Sequence, residues 1–396
     1  MNDPRQPVGR RAQLTVFLTI LLDLIGFGMI LPLLPFYAQR FHATPVQIGL
    51  LFTSYSLTQL LFAPLLGRLS DRVGRRPVLL ASITGSVAAY LLFAFAPSYA
   101  VLLLARSLSG LAAANYAIAQ AYMADVSAPE ERSKAMGLVG AAFGLGFVLG
   151  PALGGILAHL GPRAVPLTAA MFSGANLLVA FFGLPESLSP EVRGRAVRGS
   201  WLGWSDLRIV WRDSPLRGLM LLFFLVMFCF SMMEATLALF CQQRFGFGVR
   251  QTSWLFVFVG VILVIVQGGL LGRLVKRYGE RSLILSGIVL MAVGLAILPL
   301  SHLWVLLVSL GLLAVGQGVH NPSSLGLLSR LTDESSQGST IGLSRSFGAL
   351  ARALGPAAGT FLFAAAGAAW PFWAAGGLMV VALFIALGVL RQVTIV

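Results

Sequence analysis

The chain has 396 residues, 57% of them hydrophobic and 11% charged, and a formal net charge of +14. An average soluble chain is about 25% charged, so a water-exposed fold of this length is excluded. A nucleic-acid partner is excluded as well, because the arginines fall in short segments between apolar runs and form no continuous patch.

The apolar runs are about twenty residues long, enough to cross ~30 Å of hydrocarbon as helices. They predict twelve spans, at roughly 13–38, 47–68, 78–96, 99–124, 134–159, 164–184, 216–241, 251–272, 282–300, 303–329, 338–366 and 369–390. The expected fold is all-α and polytopic, with twelve transmembrane helices in two six-helix pseudo-symmetric bundles. The 44 glycines suit close helix packing in lipid. The two cysteines, Cys229 and Cys241, share one apolar run, so neither a disulfide framework nor a metal site is expected.

Arg5, Arg10 and Arg11 precede the first run, which extends past twenty residues without a small-residue cleavage site and is read as a retained span. Asp23 lies about ten residues into it, or ~15 Å deep. A carboxylate at that depth costs about 2.5–3.5 kcal/mol on insertion scales. Thr15, Thr19 and Asp23 share a helical face, so Asp23 either binds protons or substrate or makes a buried structural hydrogen bond. Between spans 2 and 3, residues 67–80 read GRLSDRVGRRPVLL. Gly67 and Gly74 permit a tight turn with close helix approach. Arg72 anchors the turn on one side of the membrane, and Arg75 can pair with Asp125 at the foot of span 4. Arg106, also in span 4, either tunes a nearby acid or makes a structural ion pair.

Span 5 carries GFVLGPALGG at 146–155. Its glycines Gly146, Gly150, Gly154 and Gly155 recur at packing intervals, and Pro151 interrupts the hydrogen-bond ladder. Glu234 in span 7 is the second intramembrane acid and a candidate proton or cation site. Gln317, His320, Asn321 and Ser324 make a polar stripe on span 10, in which His320 is a coupling site or a hydrogen-bonded cavity residue. Arg345 and Arg352 share a face of span 11 and can meet an anionic group on the substrate or pair with Asp23 or Glu234; Arg345 is near enough to the end to snorkel.

The basic residues fix a topology. With a cytoplasmic N-terminus, the inside segments hold 21 Lys and Arg, the outside loops four (Arg40, Arg163, Arg244, Arg250), and three lie in spans. The positive-inside rule then places both termini in the cytoplasm, and the expected location is the cell (inner) membrane. The chain is also duplicated. Gly67 and Gly74 recur 205 residues on as Gly272 and Gly279, Gly137-Leu138 as Gly342-Leu343, and Gly150-Pro151 as Gly355-Pro356. The expected organisation is a bundle over 1–184, a cytoplasmic linker over 185–215 with a surface-lying piece near WLGWSDLRIVW, and a bundle over 216–396. Transporters with repeats bind substrate near the midplane.

These residues resemble the major facilitator superfamily. The turn motif at 67–76, the span 5 motif and RSLSG at 106–110 are similar to those of its twelve-span drug:proton antiporters. LDLIGFGMILPLLP at 22–35 adds a likeness to bacterial tetracycline:proton antiporters. The likeness covers nearly all of the first half and thins in the second; Ala89 stands where those proteins have an acid in span 3, and 282–300 contains none. The resemblance implies that Asp71 lies against the start of span 11, near Gly338, as part of a cytoplasmic gate, and that span 5 seals the protein against proton leak. It implies no enzyme activity and no cofactor. It implies a monomer in the lipid bilayer that exports a small amphiphilic, drug-like molecule in exchange for protons. A proton-coupled or facilitative importer of a small metabolite, and a non-transporting membrane receptor, are the alternatives.

Overall fold

The computed structural model describes residues 10–127, 131–188, 214–300, 302–332 and 337–392. Every regular element among them is a helix. This is what hydrocarbon demands, since a spanning backbone must satisfy its own N–H and C=O groups. In chain order the helices are α1 (Arg10–Ile30), α2 (Leu34–Gln39), α3 (Pro45–Val73), α4 (Arg75–Ala94), α5 (Tyr99–Ala112), α6 (Asn115–Asp125), α7 (Arg132–Leu157) and α8 (Ala164–Gly183). After the connection come α9 (Ser214–Phe245), α10 (Val249–Ile265), α11 (Leu271–Ile297), α12 (Leu303–Arg330), α13 (Gln337–Ala366) and α14 (Trp370–Gln392).

These helices make the twelve expected spans. The first is α1 with α2, interrupted at Pro32, which has no N–H to donate. The fourth is α5 with α6, where Ala114 N–H reaches only to the Leu111 carbonyl and Tyr116 N–H to that of Ala113. The apolar stretch Val249–Leu300 holds two spans. In it α10 passes through a π-helical turn, Val266–Leu270, into α11, and Gly279 (φ 74°) breaks α11 between the spans. The start of α3 is fixed by a capping box: Gln47 N–H donates to Thr44 Oγ1 at 3.3 Å, and Thr44 N–H to Gln47 Oε1 at 2.8 Å.

Two compact units emerge. Unit 1 takes its described residues from Met1–His42, Leu57–Arg198 and Val249–Val257; unit 2 takes its own from Ala43–Ser56, Gly199–Gly248 and Phe258–Val396. In unit 1, α1 packs on α7 and α8, and α4 on α5 and α8. In unit 2, α9 packs on α13 and α14, and α11 on α12 and α14. The same four pairings, span for span, recur in both units, as the 205-residue repeat requires. Of the expected linker 185–215, residues 189–213 lie outside the described residues, and the aromatic piece expected near 201–211 lies there too.

The cores follow lipid rules. Small residues bring helix axes together: a Cβ on Gly150 would sit 2.7 Å from the Gly28 Cα and 2.8 Å from the Ile25 carbonyl oxygen. Unit 1 also holds a buried cluster that includes Ile20, Leu79, Ile83, Ile118, Tyr122 and Met123. Large apolar side chains also face outward. Phe182, Trp304 and Phe384 are 82%, 78% and 70% exposed, which suits a surface solvated by acyl chains.

Candidate functional site

The mid-span acid of unit 1 is held by amides. Asp23 is half-buried on α1. Its Oδ2 accepts a hydrogen bond from Asn115 Nδ2 at 2.7 Å, and its Oδ1 accepts one from Asn176 Nδ2 at 3.2 Å. The same Asn176 nitrogen donates to the Thr19 carbonyl at 3.2 Å. Three spans thus converge on one carboxylate, since Asn115 opens α6 and Asn176 lies within α8. Asn115 is 4% exposed and Asn176 fully buried. The buried Asn176 Oδ1 and Thr19 Oγ1 have no hydrogen-bond partner among the described residues. The sequence directed attention to charges and missed both asparagines. Their signal was an amide inside an apolar run, which is unfavourable in lipid unless paired. Arg106 is 2% exposed on α5; the polar groups that meet Asp23 are the two amides.

In unit 2, Glu234 is half-buried on α9, and Arg352 of α13 lies within electrostatic reach of it. Of the two span 11 arginines, Arg352 is the one whose charge acts on the acid, while Arg345 is exposed. The span 10 stripe is packed. Gln317 Nε2 meets Met227 Sδ at 3.2 Å, and the His320 ring meets Ser324 Oγ at 3.3 Å through Nε2. Gly287 of α11 lies so close that a Cβ there would be 2.9 Å from His320 Cβ. Gln317 Oε1 and Asn321 Oδ1 are buried without a partner among the described residues. Such a run of unsatisfied polar atoms is where buried water or a polar ligand binds.

The charged turn between α3 and α4 is a dense network. Gly74 takes φ 111°, a conformation L-residues avoid, and a Cβ there would strike the Glu186 carboxylate. Gly67 differs from expectation: it lies inside α3 with open space around it, so no close approach requires it. Arg75 Nη1 meets Asp71 Oδ1 at 2.6 Å and Ser70 Oγ at 2.8 Å, and its Nε meets Asp125 Oδ2 at 3.2 Å. The expected Arg75–Asp125 contact is present, and Arg72 is exposed beside it.

Glu186, just after α8, falls at the start of the expected linker. Its carboxylate accepts the N–H groups of Arg75 at 2.8 Å and Arg76 at 3.3 Å. It thereby occupies the positive end of α4, where anions are stabilised. Ser187 Oγ donates to Asp125 Oδ2 at 3.1 Å, and Tyr122 OH to the Pro185 carbonyl at 2.6 Å.

Span 5 is a close-packing surface. Gly146, Gly150 and Gly154 face Leu24, Gly28 and Met29 of α1, and Pro151 Cδ would lie 3.1 Å from a Cβ on Gly28. Gly155 faces Ser253, also in unit 1. Gly137 and Gly140 face open space.

Duplicated six-span units with ionisable groups inside their spans are the build of a membrane transporter. The chain belongs to the Major Facilitator Superfamily, whose sequence profile matches residues 16–274 and 268–394. It is 32% identical to the Escherichia coli tetracycline resistance protein, class C, over 91% of each chain. It is 31% identical to human major facilitator superfamily domain-containing protein 10, over 96% of this chain and 93% of that one. The crystal structure of that human protein, described as an organic anion transporter, covers 96% of this chain and 100% of its own with a TM-score of 0.74. The protein is thus a multi-pass transporter of a small molecule and not an enzyme.

Proposed function

We propose that the chain exports a small amphiphilic, drug-like molecule in exchange for protons by alternating access, with Asp23 as the proton-binding group of unit 1 and Glu234 that of unit 2. The observation that carries this reading is the clamp on Asp23. Both carboxylate oxygens accept amide N–H groups, so each oxygen of the ionised acid has a donor. A proton arriving on either oxygen makes that oxygen a donor and a weaker acceptor, so the amide bond it receives is loosened. Asn176 Oδ1, buried and without a partner, is the acceptor the new O–H finds if that amide turns over. Proton binding is thereby converted into a rearrangement among three helices.

The tetracycline resistance relatives support the export direction, and the proposed orientation puts both termini in the cytoplasm of an inner-membrane protein acting as a monomer. In the same reading, the network of Asp71, Arg75, Asp125 and Glu186 is the cytoplasmic gate. A second reading of the cargo, an organic anion, is favoured by Arg352 beside Glu234 and by the description of the human relative.

The test is a drug-sensitivity panel in a pump-deficient bacterium, followed by vesicles under an imposed proton gradient with the best compound as cargo. Asp23→Asn is expected to lower proton-driven efflux at least about a hundredfold, the scale of a lost proton-transfer group, with normal amounts of protein in the membrane. Undiminished export by that variant removes Asp23 from the mechanism. Uptake instead of efflux would establish an importer.

A further inference from the structure

At the end of unit 1 remote from Arg75, three connections meet: those that follow α2, α4 and α7. They enclose a hollow of about 560 Å³ lined by Tyr37, Arg40, Phe41, Leu160 and Arg163 among others. Tyr37 forms its floor. It is 4% exposed, its hydroxyl donates to the Ala94 carbonyl at 3.2 Å, and its ring lies 4.7 Å from that of Phe93. The Arg40 guanidinium stands 5.8 Å over the Tyr37 ring, and that of Arg163 stands 5.5 Å over the Phe95 ring. The aromatic rings hold two long cationic side chains at one hollow, and both guanidinium groups act electrostatically on the same tyrosine.

No acidic side chain in this region balances those charges. No Asp or Glu occurs between Asp23 and Asp71, between Asp71 and Asp125, or between Glu131 and Glu186, and every lining segment falls inside one of these gaps. Among the described residues neither arginine forms an ion pair. Arginine stays charged at any ordinary pH, so two permanent cations share a hollow that supplies no counter-ion. Planar guanidinium forks match a phosphate, whose oxygens accept two parallel N–H bonds from each. The flank is apolar and open: Phe95 is 56% exposed and Leu160 is 63% exposed. A phosphate carried on an acyl-chain lipid would satisfy both parts at once.

We propose that Arg40 and Arg163 bind an anionic phosphate group in this hollow. The orientation given above puts the site on the outer side of the membrane, but the binding itself does not depend on the transport reading. A phospholipid headgroup and free inorganic phosphate share this chemistry, and the experiment separates them. Detergent-purified protein is titrated with dioleoylphosphatidylglycerol, with dioleoylphosphatidylcholine as control, and bound lipid is counted by native mass spectrometry. In parallel, its thermal unfolding is followed with and without inorganic phosphate.

The expected result is phosphatidylglycerol binding about tenfold weaker in Arg40→Gln/Arg163→Gln than in the wild type, the scale of lost charge-assisted hydrogen bonds, with phosphatidylcholine binding alike in both. A stabilisation by inorganic phosphate that the double variant lacks, without a lipid difference, assigns the site to free phosphate. Equal behaviour of both proteins toward lipid and phosphate overturns the proposal. If the double variant unfolds at a lower temperature on its own, Arg163→Gln alone provides the comparison, since that side chain is exposed.

Discussion

The turn after span 2 and its copy after span 8 have the same backbone break and opposite charges. Gly74 and Gly279 both take positive φ, and a new span starts at the next residue in each case. At the shared interval of 205 residues, Asp71 becomes Lys276, Arg75 becomes Glu280, Asp125 becomes Arg330 and Glu186 becomes Arg391. The reversal keeps the pair. Arg75 meets Asp125 in unit 1, and Arg330 Nε meets Glu280 Oε1 at 3.4 Å in unit 2. By contrast, Arg68, Arg72 and Arg76 stay basic as Arg273, Arg277 and Arg281.

Two roles are thus separated within one motif. Arg68, Arg72 and Arg76 hold their sign, which suits topology set by positive charge. Residues that pair need only to be opposite, and they have exchanged signs together. The copies also differ in how they serve the new helix. An acid is favoured at a helix start. Unit 2 places Glu280 there directly, whereas unit 1 has a cation at that position and brings Glu186 across from the end of α8.

The greatest damage is expected where the unit 1 network is inverted at one point only. Arg75→Glu sets a carboxylate against Asp71, Asp125 and Glu186; with Arg75 only 13% exposed, a loss of about 2–4 kcal/mol follows, discounted for the partly open Asp71. The unfolding midpoint of the solubilised protein should fall by about 4–8 °C, at ~2 °C per kcal/mol for a chain of this size. Adding Asp125→Arg recreates the polarity of unit 2 and should recover roughly half of that loss, because Asp71 and Glu186 remain unmatched. No recovery would mean that the sign, and not the pairing, is what unit 1 needs. Glu186→Gln weakens the bonds its carboxylate accepts from the backbone N–H groups of Arg75, Arg76, Ser187 and Leu188 and should lower the unfolding midpoint of the solubilised protein by about 2–4 °C. Glu280→Gln is expected to do least. Glu280 is 8% exposed but its partner Arg330 is 64% exposed, so solvent screens the pair and its loss stays near the upper end of the about 0–1 kcal/mol of open pairs, a shift of about 2 °C. A fall as large as that of Arg75→Glu would refute the contrast between the copies.

The spans, the repeat and the Arg75–Asp125 pair were legible because each is written in residue type at fixed spacing. The apolar runs needed only length, and the repeat needed only Gly67, Gly74, Gly150 and Pro151 with their copies. The partners of Asp23 were not legible. Asn115 and Asn176 lie 92 and 153 residues from it, and no local pattern states which of several intramembrane amides turns toward an acid. Arg106 carried the stronger chemical signal, yet amides meet the carboxylate. Glu186 was hidden for another reason: a residue just past an apolar run looks like linker until the end of α8 is seen beside the start of α4. The reading of Gly67 as a contact failed because a glycine inside a motif does not reveal whether anything lies opposite it.

The short helix α6 has its first residue in the Asp23 clamp and its last in the Arg75 network. Eleven residues of α-helix make a rod about 16 Å long, and the tightened turn at Ala113–Ala114 frees its near end from the rest of span 4. A stiff strut pinned at both tips cannot take up a displacement at one without passing it to the other. The membrane interior and the charged turn are therefore in mechanical register through a single element, and whatever pulls on Asn115 is felt at Asp125.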